Sequence, residues 1–226
     1  MSAVRVMSIL RPGGEKAILR KAAEVIRRGG IVAHPTETVY GLAVDPWNDR
    51  AVERLIRLKG REGKEGLILI VASEEQARTL IASPPPEPLE ILAAAFWPGP
   101  LTLILPPGPR APRAVLGPSG GIAVRCTSDS VARDLLKVIG HPLTSTSANL
   151  SGSPPATTAE EVVVIGPGID LVIDAGPRAS ARPSSIVDLR GETPSVIREG
   201  MIERGRIEGA LRGASPRGPG SAPSSC

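Results

Sequence analysis

The stretch GLILIVASEEQARTLIA (66–82) places a buried strand directly before a helix. Its first half, GLILIVAS, is a continuous apolar run, which is typical of a strand buried on both faces. Residues 74–82 restart with the helix-forming sequence EEQAR, and SPPPEP (83–88) ends that helix. A strand that leads at once into a helix predicts a layered α/β domain.

The same alternation of strands and helices continues in both directions from this stretch. Further helices are predicted at residues 15–28, 49–59, 89–97, 129–139 and 157–165. Further strands are predicted at residues 31–35, 101–106, 121–126, 142–149, 171–176, 184–189 and 195–200. Asp49 is the candidate N-cap of its helix. The final strands look antiparallel, so the α/β domain is predicted to contain a mixed sheet.

Length and composition fit one domain with a short tail. The chain has 226 residues, of which 41% are hydrophobic, and residues 1–212 are predicted to form the domain. Residues 213–226 are rich in Gly, Pro and Ser and lack apolar periodicity, which predicts a disordered tail. Lys and Arg number 27 against 23 Asp and Glu, a formal charge of +4 that is compatible with phosphate-bearing substrates.

Cysteine content and the N-terminal sequence predict a cytoplasmic protein without membrane contact. Cys126 and Cys226 cannot be read as a disulfide framework, which favours a reducing compartment. Residues 1–16 lack the apolar core of a signal peptide, and no apolar run approaches the length of a membrane span.

Two polar clusters follow predicted strands, where ligands commonly bind in α/β sheets. HPTETVYG (34–41) offers the hydroxyls of Thr36 and Thr38, and STSANLSG (145–152) is dense in hydroxyls and amides. Such groups can hold a carboxylate, a phosphate or a ribose. Taken alone, each cluster can also be interpreted as a self-stabilising turn with ordinary caps.

Cations form a second kind of candidate. In KGREGKEG (59–66), Lys59 and Arg61 lie among glycines that permit close backbone approach. This combination suits the binding of phosphate oxygens. The alternative interpretation is a solvated charged loop. Arg125 ends the apolar strand GIAVRC, where its forked guanidinium would suit a substrate carboxylate.

Familiar catalytic motifs are absent from the sequence. His34 and His141 are the two histidines, and CxxC and HExxH do not occur, so no metal site is predicted. GxSxG, GxGxxG and the P-loop are missing as well. An enzyme built on these residues would work mainly by binding and aligning charged reactants, with Mg²⁺ carried in by nucleotide phosphates.

The order of the motifs resembles the YrdC family, in its short, single-domain form. The matching segments lie within about residues 14–200 and are HPTETVYGLAVDP, KGREGKEGLILI, FWPGPLTLIL, GIAVRC, PLTSTSANLSGSPP, SSIVDLRG and VIREG. The resemblance implies a three-layer α/β domain with a twisted mixed β-sheet and a basic concave cavity. It also implies synthesis of threonylcarbamoyl-AMP and pyrophosphate from L-threonine, bicarbonate or CO2 and ATP, for a downstream transferase complex that modifies tRNA.

The resemblance also implies roles for individual residues. Lys59 and Arg61 match the pair that contacts the nucleotide phosphates, and they are the expected catalytic residues. The implied threonine-binding residues are Thr36, Thr38, Arg125 and Ser145. The implied nucleotide-binding residues are Lys59, Arg61, Ser147, Asn149, Ser185 and Arg198. Ile70 stands where long-form members often place a histidine, so threonine selection is expected to rest on the four residues named for it.

Two other interpretations stay open at this point. YrdC-like domains also form carbamoyl-adenylates inside larger hydrogenase-maturation proteins. A basic concave face could instead bind double-stranded RNA or tRNA weakly, without catalysis. The modest +4 charge and the scarcity of aromatic residues argue against this RNA-binding interpretation.

Overall fold

The computed structural model describes residues 4–10, 13–60 and 66–213. The helices are α1 (Glu15–Arg27), α2 (Asp49–Leu58), α3 (Glu74–Arg78), α4 (Pro88–Phe96), α5 (Ser130–Ile139), α6 (Ala159–Val164) and α7 (Arg204–Gly213). The strands are β1 (Arg5–Ser8), β2 (Val32–His34), β3 (Gly41–Ala43), β4 (Ile68–Val71), β5 (Leu101–Leu105), β6 (Ile122–Cys126), β7 (Leu143–Thr144), β8 (Thr146–Ser147), β9 (Leu171–Asp174), β10 (Ser185–Asp188) and β11 (Ser195–Arg198). The predicted α/β class is confirmed.

The strands form two mixed sheets. The first has the order β1-β9-β2-β3-β8, and the second has the order β11-β10-β5-β6-β4-β7. In the first sheet β1, β9 and β2 run parallel, while β3 pairs antiparallel with both of its neighbours. In the second sheet β10–β5 and β6–β4 are the parallel pairs. Mixed pairing was expected, but the strands divide between two sheets where the sequence predicted one.

The chain crosses from the second sheet to the first at Ser145. β7 ends at Thr144 against β4, and β8 begins at Thr146 against β3. The Ser145 amide donates to the Ile68 carbonyl at 2.8 Å, and the Thr144 hydroxyl accepts from the Val44 amide at 2.9 Å. One short segment therefore joins both sheets and places the Ser145 side chain where they meet.

Strand alternation divides the apolar side chains between two core clusters. Helices α1 and α5 cover a cluster that contains Ile70 and Leu135, whereas the other cluster contains Leu69 and Leu92 and is covered by α2, α3, α4, α6 and α7. Successive strand residues point to opposite faces. The continuous apolar run in β4 thus reflects burial on both of its faces.

Several local features differ from the sequence prediction. Asn48, rather than Asp49, caps α2, since its Oδ1 accepts from the Ala51 amide at 3.1 Å. β1, β3 and α7 were not predicted, and β3 has too few residues to show a period. The predicted boundary at residue 213 falls at the end of α7, and residues 214–226 lie outside the described residues.

Within the described ranges, every helix is too short or too polar to cross a membrane.

Candidate active site

A cavity of about 540 Å³ lies between the two sheets. Its floor is one face of the second sheet, because the alternating strand residues Ile68, Ala123 and Ile186 all line it. The loop between β2 and β3 forms one wall, together with β8. Residues 117–119, Gly121 and residues 183–184 line the opposite side. The fold thus builds a concave pocket from segments that are distant in sequence.

Many of the predicted site residues come together in this cavity. Those that line it are Thr36, Thr38, Arg125, Ser145, Ser147 and Arg198. Lys59, Asn149 and Ser185 do not line the cavity, and Arg61 lies outside the described residues.

Arg125 is a buried cation at the end of β6. Its Nη2 forms an ion pair with Glu37 Oε1 at 2.8 Å, and the two side chains are only 7% and 15% exposed. Nη1 and Nη2 also donate to the Thr38 hydroxyl, each at 3.3 Å. The Thr127 hydroxyl donates to the other Glu37 oxygen at 2.6 Å. A carboxylate of the chain itself therefore orients the guanidinium, and the sequence prediction did not identify Glu37 as this partner.

Glu37 stays ionised in this setting. Burial by itself raises the pKa of the Glu37 carboxyl, but the charge of Arg125 and the hydrogen bond from Thr127 outweigh burial and hold the pKa below its ordinary value. Because the carboxylate is charged at neutral pH, it keeps the Arg125 fork fixed against the cavity wall.

His34, the last residue of β2, lies directly behind Ser145. Its Nδ1 is 2.9 Å from the Pro35 carbonyl oxygen, and its Nε2 is 3.2 Å from Ser145 Oγ. A carbonyl oxygen only accepts, so Nδ1 carries the proton and Nε2 accepts from the serine hydroxyl. Burial lowers the pKa of His34, which keeps the ring neutral. No functional role was predicted for His34, and its position at the end of a buried strand was the available signal.

Replacing Gly41 with alanine is expected to destabilise the protein by about 1–3 kcal/mol. The added Cβ would lie 2.5 Å from Ser145 Oγ and 3.0 Å from His34 Nε2, and Gly41 is paired with His34 across β2 and β3. Urea unfolding would measure the effect. Gly209→Ala is the matched control, because no atom lies within 4 Å of its new Cβ. Equal stability of the two variants would contradict this packing.

Lys59 organises the Ser147–Asn149 segment from behind the cavity. The side chain is fully buried, and its ammonium donates to the Ser147 carbonyl and to the Asn149 carbonyl (3.1 Å) and Oδ1 (2.9 Å). Asn149 Oδ1 also accepts from the Ser147 hydroxyl at 2.7 Å. These bonds hold Ser147 at the cavity wall, while the phosphate contacts expected of Lys59 stay a prediction.

On the opposite side, Ser184 rather than Ser185 lines the cavity. The Ser185 hydroxyl donates to the Ile202 carbonyl and accepts from the amides of Gly200 and Ile202 at 2.9 and 3.0 Å, so it secures the turn before α7. Arg198 donates to the Ser184 carbonyl at 2.9 and 3.1 Å. Neighbouring residues of an extended segment point to opposite faces, so Ser184 reaches the cavity while Ser185 points away from it. The nucleotide contact that the resemblance implies for Ser185 stays a prediction.

Residues 117–121 were not predicted to belong to the site. Arg190 holds this wall, because its Nη1 donates to the carbonyl and the hydroxyl of Ser119 at 2.9 and 2.8 Å. Asp188 pairs with Arg190 in turn. The contact links the loop before β6 to the segment after β10, and only the folded chain brings them together.

The cavity is basic and rich in hydroxyl groups. Among the described lining residues, Arg125 and Arg198 are the charged ones, and Thr36, Thr38, Ser145, Ser147 and Ser184 supply hydroxyls. Two cations and several hydroxyls can bind an anionic ligand that also carries hydroxyl or amino groups. Elsewhere in the described ranges, no group of three or more His, Cys, Asp or Glu side chains is placed to hold a metal ion.

This chain belongs to the Sua5/YciO/YrdC family, whose model, described as telomere recombination, matches residues 24–200. The threonylcarbamoyl-AMP synthase of Halorhodospira halophila is 44% identical over 180 residues, or 79% of this chain and 94% of that protein. The threonylcarbamoyl-AMP synthase of Pyrococcus abyssi is 40% identical over 191 residues, or 84% of this chain and 56% of that protein. The chain therefore spans nearly all of the first relative and little more than half of the second.

A solved structure shows the same fold. The crystal structure of P. abyssi Sua5 complexed with L-threonine has a TM-score of 0.85 against this chain at 36% sequence identity. The match covers 93% of this chain and 61% of the P. abyssi chain.

Proposed function

We propose that the protein is an L-threonylcarbamoyladenylate synthase. It joins L-threonine, bicarbonate or CO2 and ATP into threonylcarbamoyl-AMP, with release of pyrophosphate. The observation that carries the proposal is the meeting of Thr36, Thr38, Arg125 and Ser145 in one cavity, in a chain whose curated relatives bear the name of this activity.

Arg125 is the group that receives the threonine carboxylate. Arg125 Nη1 has two N–H groups. Among the described residues, Nη1 donates to the Thr38 hydroxyl, which leaves its second N–H for the substrate. Hydrogen bonds between a guanidinium and a carboxylate are charge-assisted and therefore strong. Ser145 and the two threonines then surround the rest of the amino acid.

The nucleotide lies between Ser147, on the wall formed by β8, and Ser184 and Arg198, which line the same cavity on its opposite side. The family resemblance implies that Lys59 and Arg61 neutralise its phosphates, with Asn149 and Ser185 in support. The Lys59 ammonium donates to three oxygens of Ser147 and Asn149, so a direct phosphate contact would replace one of these bonds. Mg²⁺ enters as part of the MgATP substrate, because this cation usually takes its ligands from phosphates and water together with one or two carboxylates.

The reaction has two bond-forming steps. The threonine nitrogen attacks the carbon of CO2 and loses a proton as the C–N bond forms. With bicarbonate, the same attack also breaks a C–O bond, and the hydroxyl group leaves with that proton as water. An oxygen of the new carbamate group of N-carboxythreonine attacks the α-phosphorus of ATP, and the bond from that phosphorus to the oxygen that bridges it to the β-phosphorus breaks to release pyrophosphate. No covalent enzyme intermediate is needed, and alignment alone can remove up to about 7–11 kcal/mol of a barrier.

Pyrophosphate release by the purified protein tests this activity. With MgATP and bicarbonate present, we expect release to depend on L-threonine and to stop when EDTA removes Mg²⁺. Reactions without amino acid are the control. Release at the same rate with and without threonine would overturn the assignment.

The product would be consumed by a separate tRNA-modifying transferase complex, since threonylcarbamoyl-AMP is an activated donor. Direct tRNA binding is a separate question that filter binding across a salt series answers. A non-catalytic RNA module would bind tightly without ATP and would show a steep dependence on salt.

A further inference from the structure

We propose that His34 is a positioning residue, which fixes the Ser145 hydroxyl as a hydrogen-bond acceptor for the amino group of the amino-acid substrate. The inference rests on the proposed function, because it assigns a role to His34, a further residue of the same site. It concerns the polarity of one hydroxyl group at the cavity wall.

The hydrogen-bond partners of His34 and Ser145 determine where the protons of these two side chains lie. A serine hydroxyl has one proton and two lone pairs. Because Nδ1–H of His34 donates a hydrogen bond to the Pro35 carbonyl, Nε2 carries a lone pair. This lone pair accepts the hydrogen bond from the Ser145 hydroxyl. The oxygen therefore offers only lone pairs to the cavity that it lines.

The packing leaves the hydroxyl little freedom to turn. His34 is fully buried, and Gly41 lies so close that a Cβ there would stand 2.5 Å from Ser145 Oγ. The Ser145 backbone is tied to β4 through the Ile68 carbonyl at 2.8 Å. The residue is thus held from the first sheet through its side chain and from the second sheet through its main chain.

A neutral acceptor suits a nucleophilic amine. A carboxylate beside the amino group would raise the pKa of the substrate ammonium and keep it protonated. The described lining offers no carboxylate, since the Glu37 oxygens are bound to Arg125 and Thr127. A serine oxygen accepts an N–H bond without adding negative charge, so the nitrogen can lose its proton and attack carbon.

Protonation of His34 would reverse the polarity of the pair. Nε2–H would then donate to Ser145, and the serine O–H would face the amine as a donor. The charges that face the ring are Asp129, Arg125 and Glu37, and Asp129 is itself paired with Arg178 at 3.2 Å. Burial outweighs the two carboxylates and lowers the pKa of His34 below its ordinary value, so the reversal belongs to acidic pH.

The test compares His34→Asn with His34→Gln. An asparagine amide can replace the bond to Pro35 but stops short of Ser145, whereas a glutamine amide reaches the position of Nε2. We expect His34→Asn to raise the KM for threonine about tenfold, to leave the KM for ATP unchanged, and to lose the acidic limb of the threonine pH profile. His34→Gln should restore most of the affinity. Equal changes in both KM values, or an unchanged pH profile, would overturn the proposal.

Binding measurements separate this inference from the proposed function. Calorimetry with L-threonine and with 3-hydroxybutanoate, which lacks only the amine, reports amine recognition without turnover. Wild type should prefer threonine, and His34→Asn, Ser145→Ala and the double variant should lose that preference to the same extent. Wild type that binds threonine but releases no pyrophosphate would refute the synthase assignment alone. Wild type without the preference, or additive losses in the double variant, would refute the role of His34.

Discussion

Replacing Arg125 with methionine is expected to destabilise the protein by about 3–5 kcal/mol, because it leaves the buried Glu37 carboxylate without its cation. The same change removes the group that we propose receives the threonine carboxylate. We expect kcat/KM for threonine to fall roughly a hundredfold or more. Urea unfolding and threonine-dependent pyrophosphate release measure the two effects separately.

Two further variants distinguish the structural role of Arg125 from its role in binding. Adding Glu37→Gln to Arg125→Met removes the unpaired charge, so it should recover stability without recovering activity. Lys21→Met breaks the exposed Lys21–Glu24 pair and should cost no more than about 1 kcal/mol. If Arg125→Met lowered the free energy of unfolding no more than Lys21→Met does, the buried Glu37–Arg125 pair would not stabilise the fold as argued.

The Glu37–Arg125 pair also predicts how stability changes with pH. The pKa of Glu37 is lower in the folded protein than in the unfolded chain, so the unfolded state binds more protons as the pH falls. The stabilisation is therefore complete above the ordinary pKa of glutamate and is lost as the pH falls through the lowered folded value.

Replacing Lys59 with methionine is the second change with a large expected effect. It leaves the Ser147 carbonyl and both Asn149 oxygens without the buried ammonium, at a cost of about 1–3 kcal/mol for an unsatisfied group. Because Ser147 then loses its fixed place at the cavity wall, we expect the KM for ATP to rise about tenfold or more, with a smaller change in the KM for threonine.

Thermal unfolding and separate titrations of ATP and threonine measure these effects. Lys137→Met is the control, because Lys137 pairs with Asp134 on the surface. Lys59→Arg should not rescue the variant, since a forked guanidinium does not replace a compact ammonium among three oxygens. Wild-type stability in Lys59→Met would contradict the role assigned to this buried cation.

The fold class could be predicted because the apolar runs of β4, β5 and β6, and the helices that alternate with strands along the chain, are long enough to show a pattern. The division into two sheets could not, because it depends on Ser145, which lies in a polar stretch that looks like a turn. β7 and β8 have two residues each, too few for a period to appear. Burial of Ile70 under α1 and α5 also needed the folded chain, since a run of apolar residues does not say which helices cover it.

The site was predictable where the motifs carry it and unpredictable where partners are distant in sequence. Thr38, Arg125 and Ser145 emerged from the order of the motifs and do meet in the cavity. The pairing of Arg125 with Glu37 and of Ser145 with His34 joins residues that lie far apart along the chain. No local pattern encodes such contacts, because they follow from how the strands are arranged.

Mass spectrometry of the product formed from ¹³C-bicarbonate, L-threonine and MgATP tests the central claim most directly. Synthesis predicts an adenylate that contains threonine and the labelled carbon, and it should disappear when any one substrate is omitted. An adenylate of threonine without the label, or no adenylate while ATP is consumed, would contradict the assignment of this chain as a threonylcarbamoyl-AMP synthase.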